Sequence, residues 1–203
     1  MNAADVQVLA TGTANTASVL AALERQGARG SLTGEAVVIR HCRRLVVPGV
    51  GTFGAAARRL DELGLREPLR QRIEEGRPTL AICLGLQLLC AASEESPGAR
   101  GLGIIEATVR RFPAGPPVPQ LGWNRVAPSG PDGLLEAGWA YFAHAFRLEA
   151  VPPGWEGASS DYNGPYASAL ARGAVLACQF HPELSGRYGA ELLGRWLELG
   201  GAA

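Results

Sequence analysis

Three residues of this chain have types and settings that could run thiol chemistry. Cys83 ends the apolar string "TLAIC" and is followed by "LGLQLLCAASEE", so it falls where a strand turns into a helix. Unpaired N–H groups and the dipole at a helix start favour a thiolate, and a tight strand-to-helix turn wants small residues nearby, which Ala81 and Gly85 supply. The same string fits a buried thiol closing a core strand, and the segment alone does not choose between the two. His181 is one of only three histidines; it follows the run "GAVLACQF" and opens His-Pro-Glu. The proline stiffens the backbone, so that Glu183 can reach back and fix the imidazole tautomer, although a surface His–Glu pair would read the same way. Cys83, His181 and Glu183 would then be nucleophile, base and orienting acid. The turn "PGVG" (48–51) offers glycines that let backbone N–H groups approach a developing oxyanion, or is a plain turn without chemistry.

These residues need elements to hold them. Apolar runs alternate with amphipathic stretches through the first half, the pattern of βα units on a largely parallel sheet. "VQVLA" (6–10) and "RRLVVPGVG" read as strands, as does "TLAIC". The segment "NTASVLAALERQG" reads as a helix capped by Asn15 or Thr16 and stopped by Gly27. Between Ala55 and Glu75 the leucine spacing predicts two helical pieces, broken by Gly64 and Pro68. "LGLQLLCAASEE" reads as the helix after the third strand. Beyond Pro97 the texture changes: "RFPAGPPVPQLGWN" (111–124) predicts a stiff irregular connector. "WAYFAHAF" and "GAVLACQFHP" predict strands and "YGAELLGRWLELG" a closing helix, so the second half is more β-rich, with antiparallel additions expected. Cys83, His181 and "PGVG" all sit at strand ends, where ligands gather on α/β sheets.

Composition narrows the chemistry. The 203 residues are 47% hydrophobic and 19% charged, enough for one core, and the expectation is a single domain over residues 1–203. Net charge is zero and there is no lysine, so no basic stripe suits nucleic acid, and Schiff-base and P-loop chemistry are excluded. No basic leader precedes an apolar core, and no window reaches the roughly 18 apolar residues of a membrane span, so a soluble cytoplasmic protein is expected. Cys42, Cys83, Cys90 and Cys178 form no C-x-x-C pair, which argues against zinc and disulfides; Cys42, Cys90 and Cys178 read as buried thiols. Neither a metal nor a cofactor is expected.

"AICLGLQLL", "PGVGTF" and "QFHPE" together resemble the class I glutamine amidotransferases, and the likeness runs through nearly the whole chain. "GTANTASV" (12–19), "PQLGWN" (119–124) and "YFAHAF" (141–146) resemble the branch of that family that serves as the glutaminase subunit of imidazole glycerol phosphate synthase. The resemblance implies an α/β, flavodoxin-like fold: a mostly parallel sheet flanked by helices, with antiparallel strands added in the C-terminal half. It also implies hydrolysis of glutamine through a cysteinyl thioester, with ammonia passed to a barrel cyclase subunit in a heterodimer. By the same resemblance, Cys83, His181 and Glu183 form the triad, and Leu84 with Gly51, or Val50 if the strand flips, the oxyanion hole. Gln87, Glu95, Ala145 and Phe146 would hold glutamine, Glu95 at its α-ammonium. Trp123, Asn124 and Tyr141 would face the partner. His144 reads as structural and His41 as a surface residue. The chain departs from the family pattern at Ala10, Thr11, Gly12 and Ala14, at Ala81, at Gln120, and at Leu184, where a lysine is usual. Another amidotransferase subunit, an inactive scaffold and a free-standing γ-glutamyl hydrolase are the competing readings; "GWN" with "YFAHAF" weighs against the first and the intact triad residues against the second, while the third would show robust turnover without a partner.

Overall fold

The computed structural model describes residues 4–10, 12, 15–130 and 133–199. Thr11 and Ala14 of the altered N-terminal motif lie outside the described residues, as do both ends of the expected 1–203 domain. The first half runs β1 (Ala4–Leu9), α1 (Thr16–Arg25), β2 (Ala28–Thr33), α2 (Ala36–His41), β3 (Leu45–Val47), α3 (Phe53–Glu62), α4 (Arg66–Glu74), β4 (Thr79–Ile82) and α5 (Leu84–Leu88). There follow β5 (Cys90–Ser93), β6 (Ile105–Arg111), β7 (Gln120–Pro128), β8 (Gly138–His144), β9 (Phe146–Arg147), β10 (Glu156–Asp161), β11 (Pro165–Arg172), β12 (Val175–Cys178) and α6 (Gly186–Leu199).

The main sheet has the order β2-β1-β3-β4-β12-β11-β10-β7-β8. Its pairings are parallel from β2 to β12 and antiparallel from β12 to β8. β3, β4 and β12 are buried along their whole length, as strands covered on both faces must be, hence their unbroken apolar runs. Alternate residues feed two cores. Val46, Leu80, Ile82 and Leu176 pack with Leu23 of α1 and Trp196 of α6. Leu45, Val47, Ala81 and Ala177 pack with Ile39, Leu60 and Leu69 of α2, α3 and α4 on the other face. A separate three-stranded sheet joins β5, β6 and β9.

Several boundaries differ from expectation for identifiable reasons. Asn15 does cap α1, accepting from Ser18 N–H at 3.5 Å. Gly64, at φ +66°, separates α3 from α4, but Pro68 sits in the first turn of α4, where its missing N–H has no helical partner to lose. The helix expected after Cys83 stops at Leu88. The next residues are taken by other backbone: Leu102 N–H donates to Leu88 O, Ile104 N–H to Leu89 O, and Cys90 lies opposite Ile105 in the β5–β6 ladder. The irregular connector is likewise shorter, because Gln120–Asn124 pair with β8. β2 and α2 were not expected at all: β2 is an edge strand of polar sequence, ARGSLT.

One buried charge ties the lower end of the sheet together. Arg72 of α4 is fully buried and donates to the carbonyls of Cys42 and Pro78 at 2.7 Å, Ile39 at 3.1 Å and Arg43 at 3.3 Å, and to Thr79 Oγ1 at 3.0 Å. Burial pulls its pKa down to about 10, which leaves it a cation at neutral pH. Among the described residues no helix is long and apolar enough to cross a membrane.

Candidate active site

Cys83 occupies the turn between β4 and α5 with φ 54° and ψ −106°, a backbone that a residue with a Cβ rarely adopts. Holding it there costs on the order of 1–3 kcal/mol, and such strain persists only where neighbours over-determine the turn. They do here. Cys83 N–H donates to Cys178 O at 2.7 Å, and its carbonyl accepts from Gln87 N–H at 3.3 Å. A Cβ on Gly85 would overlap the Val47 carbonyl oxygen, and one on Gly49 would come within 2.6 Å of Leu84 Cβ and 2.7 Å of Gly85 N. The two glycines let the "PGVG" turn press against the first turn of α5. Leu84, first in that helix, has an N–H with no intrahelical acceptor.

His181 follows β12 at the same sheet edge, and Pro182–Leu184 form a 3-10 turn. His181 Nδ1 and Glu183 Oε1 are 2.8 Å apart, with side chains only 10% and 7% exposed. Glu183 Oε2 is buried with no partner among the described residues. His181 is pinned to β8: its N–H donates to Tyr141 O at 2.9 Å, and Ser185 Oγ donates to His181 O at 2.6 Å while accepting from Tyr141 N–H at 2.9 Å. Burial disfavours charge on His181, but hydrogen bonds to Cys83 and Glu183 and their negative charge outweigh it and raise the imidazole to about 10. The ring is therefore held protonated at neutral pH. Burial raises the thiols of Cys42, which is half-buried and not the fully buried thiol expected, of Cys90 to about 12 and of Cys178 well above the usual range, so none of the three is primed to react.

A cavity of about 390 Å³ opens over Cys83, His181 and Glu183. Val50, Gly51 and Leu84 line it, and so do Gln87, Glu95, Ala145 and Phe146; the structure thus brings together every residue expected in the triad, the oxyanion hole and the substrate clamp. Glu95 is partly committed elsewhere, because its Oε2 accepts the Phe53 N–H at 2.6 Å and so caps α3, whose own Thr52 makes no side-chain cap. The residues expected to face a partner lie outside the cavity and divide. Trp123 is 55% exposed and meets Tyr141 across the β7–β8 ladder, ring centroids 6.2 Å apart. Asn124, one residue on, has its amide turned to the neighbouring strand: Nδ2 donates to Asp161 O at 2.9 Å and Oδ1 accepts Arg125 N–H at 2.7 Å. It does not share the Trp123 face. Leu184 stands 44% exposed at the rim of the cavity.

Two further features carry the site's polar wiring. His144 is buried, its pKa lowered to about 4 chiefly by that burial, and its Nδ1–H donates to Phe146 O at 2.9 Å. It is a neutral structural ring, as its lack of a chemical task suggested; His41 is exposed on the surface. Gln179 was not singled out from sequence. It is fully buried between Cys83 and Gln87, with Gln87 Nε2 to its Oε1 at 3.2 Å and its own Nε2 to Cys83 Sγ at 3.7 Å. The available signal was a glutamine interrupting the apolar run "VLACQF", since a buried amide must find partners.

Comparison with known proteins agrees with this geometry. Residues 35–197 match the family model described as glutamine amidotransferase class-I. A Symbiobacterium thermophilum protein named imidazole glycerol phosphate synthase subunit HisH is 41% identical over 198 residues, 95% of this chain and 93% of its own. A Deinococcus radiodurans protein of the same name is 41% identical over 197 residues, covering 94% and 92%. A crystal structure described as a glutamine amidotransferase superposes with a TM-score of 0.77 at 26% identity, over 97% of this chain and 99% of the other.

Proposed function

The chain belongs to the class I glutamine amidotransferases, and on that premise we propose that it is the glutaminase subunit of an imidazole glycerol phosphate synthase, a single domain that releases ammonia for a barrel cyclase partner in histidine biosynthesis. The observation that carries the reading is the strained Cys83 at one wall of a cavity whose other wall holds the His181–Glu183 pair.

Glutamine enters with its α-carboxylate toward the Ala145–Phe146 backbone and its side-chain amide over Cys83. Gln87 and the free oxygen of Glu95 complete the clamp. The Cys83 thiolate attacks the amide carbon, and the C=O electron pair moves to oxygen, where the N–H groups of Leu84 and of Gly51 or Val50 meet the negative charge. His181 gives its proton to the departing nitrogen, and ammonia leaves behind a thioester. The ring, now neutral, takes a proton from water, and the hydroxide adds to the thioester carbonyl. Collapse expels the thiolate and frees glutamate. Glu183 keeps the imidazole oriented and stabilises its charge through both steps. The exposed Trp123 ring and the half-buried Tyr141 against it, with Leu184 beside the cavity, supply an apolar rim for the partner, and a leucine there calls for an uncharged neighbour.

The test is glutamate release from glutamine by the wild-type chain and by Cys83→Ala, each with and without the cyclase subunit and its nucleotide ligand. Turnover that depends on the partner and vanishes in Cys83→Ala is expected. Turnover that survives Cys83→Ala would overturn the mechanism, and full turnover without the partner would overturn the subunit assignment.

A further inference from the structure

The amide of Gln179 has two unlike ends, and its partners decide which one meets the nucleophile. The Phe146 carbonyl oxygen can only accept. It receives the His144 Nδ1–H at 2.9 Å and Gln87 Nε2 at 3.0 Å. Gln87 must therefore present its NH₂ on that side, and the same NH₂ reaches Gln179 at 3.2 Å, a contact that requires the oxygen of Gln179. With Oε1 spent on Gln87, the end of Gln179 that lies 3.7 Å from Cys83 Sγ is its NH₂. All three side chains in this relay are buried, so water does not compete for the contacts.

We propose that Gln179 is a thiolate-holding residue of the glutaminase reaction, its side-chain N–H stabilising and aiming the charged sulfur of Cys83 independently of His181. A neutral thiol is a weak acceptor and a thiolate a strong one, so the same N–H stabilises the charged form selectively. It acts twice in the cycle: on the thiolate before attack, and on the thiolate regenerated when the tetrahedral adduct collapses. The relay also ties the sulfur to Gln87 and to the Phe146 backbone, so the nucleophile and the substrate clamp share one set of hydrogen bonds.

The inference rests on reading Cys83 as the nucleophile, and its test separates the two. The pH dependence of iodoacetamide alkylation is followed at each cysteine by mass spectrometry in the full-length wild-type chain and in Gln179→Glu, Gln179→Leu and His181→Ala. Gln179→Glu keeps the shape and the oxygen facing Gln87 but sets an oxygen against the sulfur; Gln179→Leu removes the donor. Both variants should shift the half-maximal pH of Cys83 alkylation upward, Gln179→Glu by about one unit or more, a tenfold loss of thiolate below that point. Only chains with Cys90 and Cys178 unmodified are scored, since these buried thiols report unfolding. An unchanged midpoint in both Gln179 variants, with a shift in His181→Ala, overturns the role of Gln179 and leaves the nucleophile reading standing. An ordinary thiol midpoint in the wild type that His181→Ala does not move overturns both.

Discussion

Replacing Glu183 with glutamine keeps the volume of the side chain and deletes its charge, which isolates what the carboxylate does for His181. The rise of the imidazole from 6.5 to about 10 corresponds to about 5 kcal/mol of preference for the charged ring, achieved against burial and shared between Cys83 and Glu183. Removing one partner of a buried pair costs about 3–5 kcal/mol, and because Cys83 still holds the ring, a loss at the low end, about 3 kcal/mol, is expected for Glu183→Gln. A group whose pKa rises on folding lends its full stability below its unfolded value, near 6.5, and loses it as pH climbs through its folded value, about 10. The gap between wild type and Glu183→Gln in urea unfolding should therefore be widest at about pH 6 and close toward about pH 10. An equal gap at both ends would mean that Glu183 contributes packing alone, and the electrostatic account of the base would be refuted.

Gly85→Ala forces a methyl into the Val47 carbonyl, backbone against backbone, and should cost about 2 kcal/mol, a fall in Tm of about 4–8 °C for a chain of this size, with loss of glutamine turnover because both walls of the turn shift. A variant that melts with the wild type would show that the turn has slack. Arg72→Met leaves the Ile39 carbonyl with only the weak Cys42 S–H and removes the shorter bonds at Cys42 and Pro78, which keep Arg77 Nη2 at 3.3 Å and Leu45 N–H at 3.1 Å; urea unfolding should report a loss of about 2–4 kcal/mol, and a loss under about 1 kcal/mol would contradict that accounting.

What was legible in the sequence follows from what each residue type can signal alone. β3, β4 and β12 stood out because a strand buried on both faces must be apolar throughout, and β2 was invisible because an edge strand of polar residues has no such run. The length of α5 could not be read locally: "LCAAS" has good helical propensity, and only pairing with residues more than ten positions away turns it into β5. Cys83, His181 and Glu183 could be picked out because reactive types are few here and each sits at the end of an apolar run. Gln179 and Ser185 could not, since an amide or hydroxyl becomes informative only when its partners are known. Asn124 comes with Trp123 from the family likeness, which does not say which face of a strand each side chain takes; strand alternation and its bonds to Asp161 and Arg125 supply that.

The hydrogen bonds among Tyr141, Ser185 and His181 make the outermost strand of the sheet part of the suspension of the imidazole. Among the described residues no strand pairs with the outer edge of β8, which is held there at Tyr141 by His181 and Ser185 instead of by a continuous ladder. A body seated on the Trp123–Tyr141 rim would load that strand directly, and the load would arrive at the main chain of His181 without any contact to its ring. Since proton transfer tolerates little error in heavy-atom spacing, a tilt too small to disturb the fold is large enough to tune the chemistry, and the edge of the sheet works as an adjusting screw for the base.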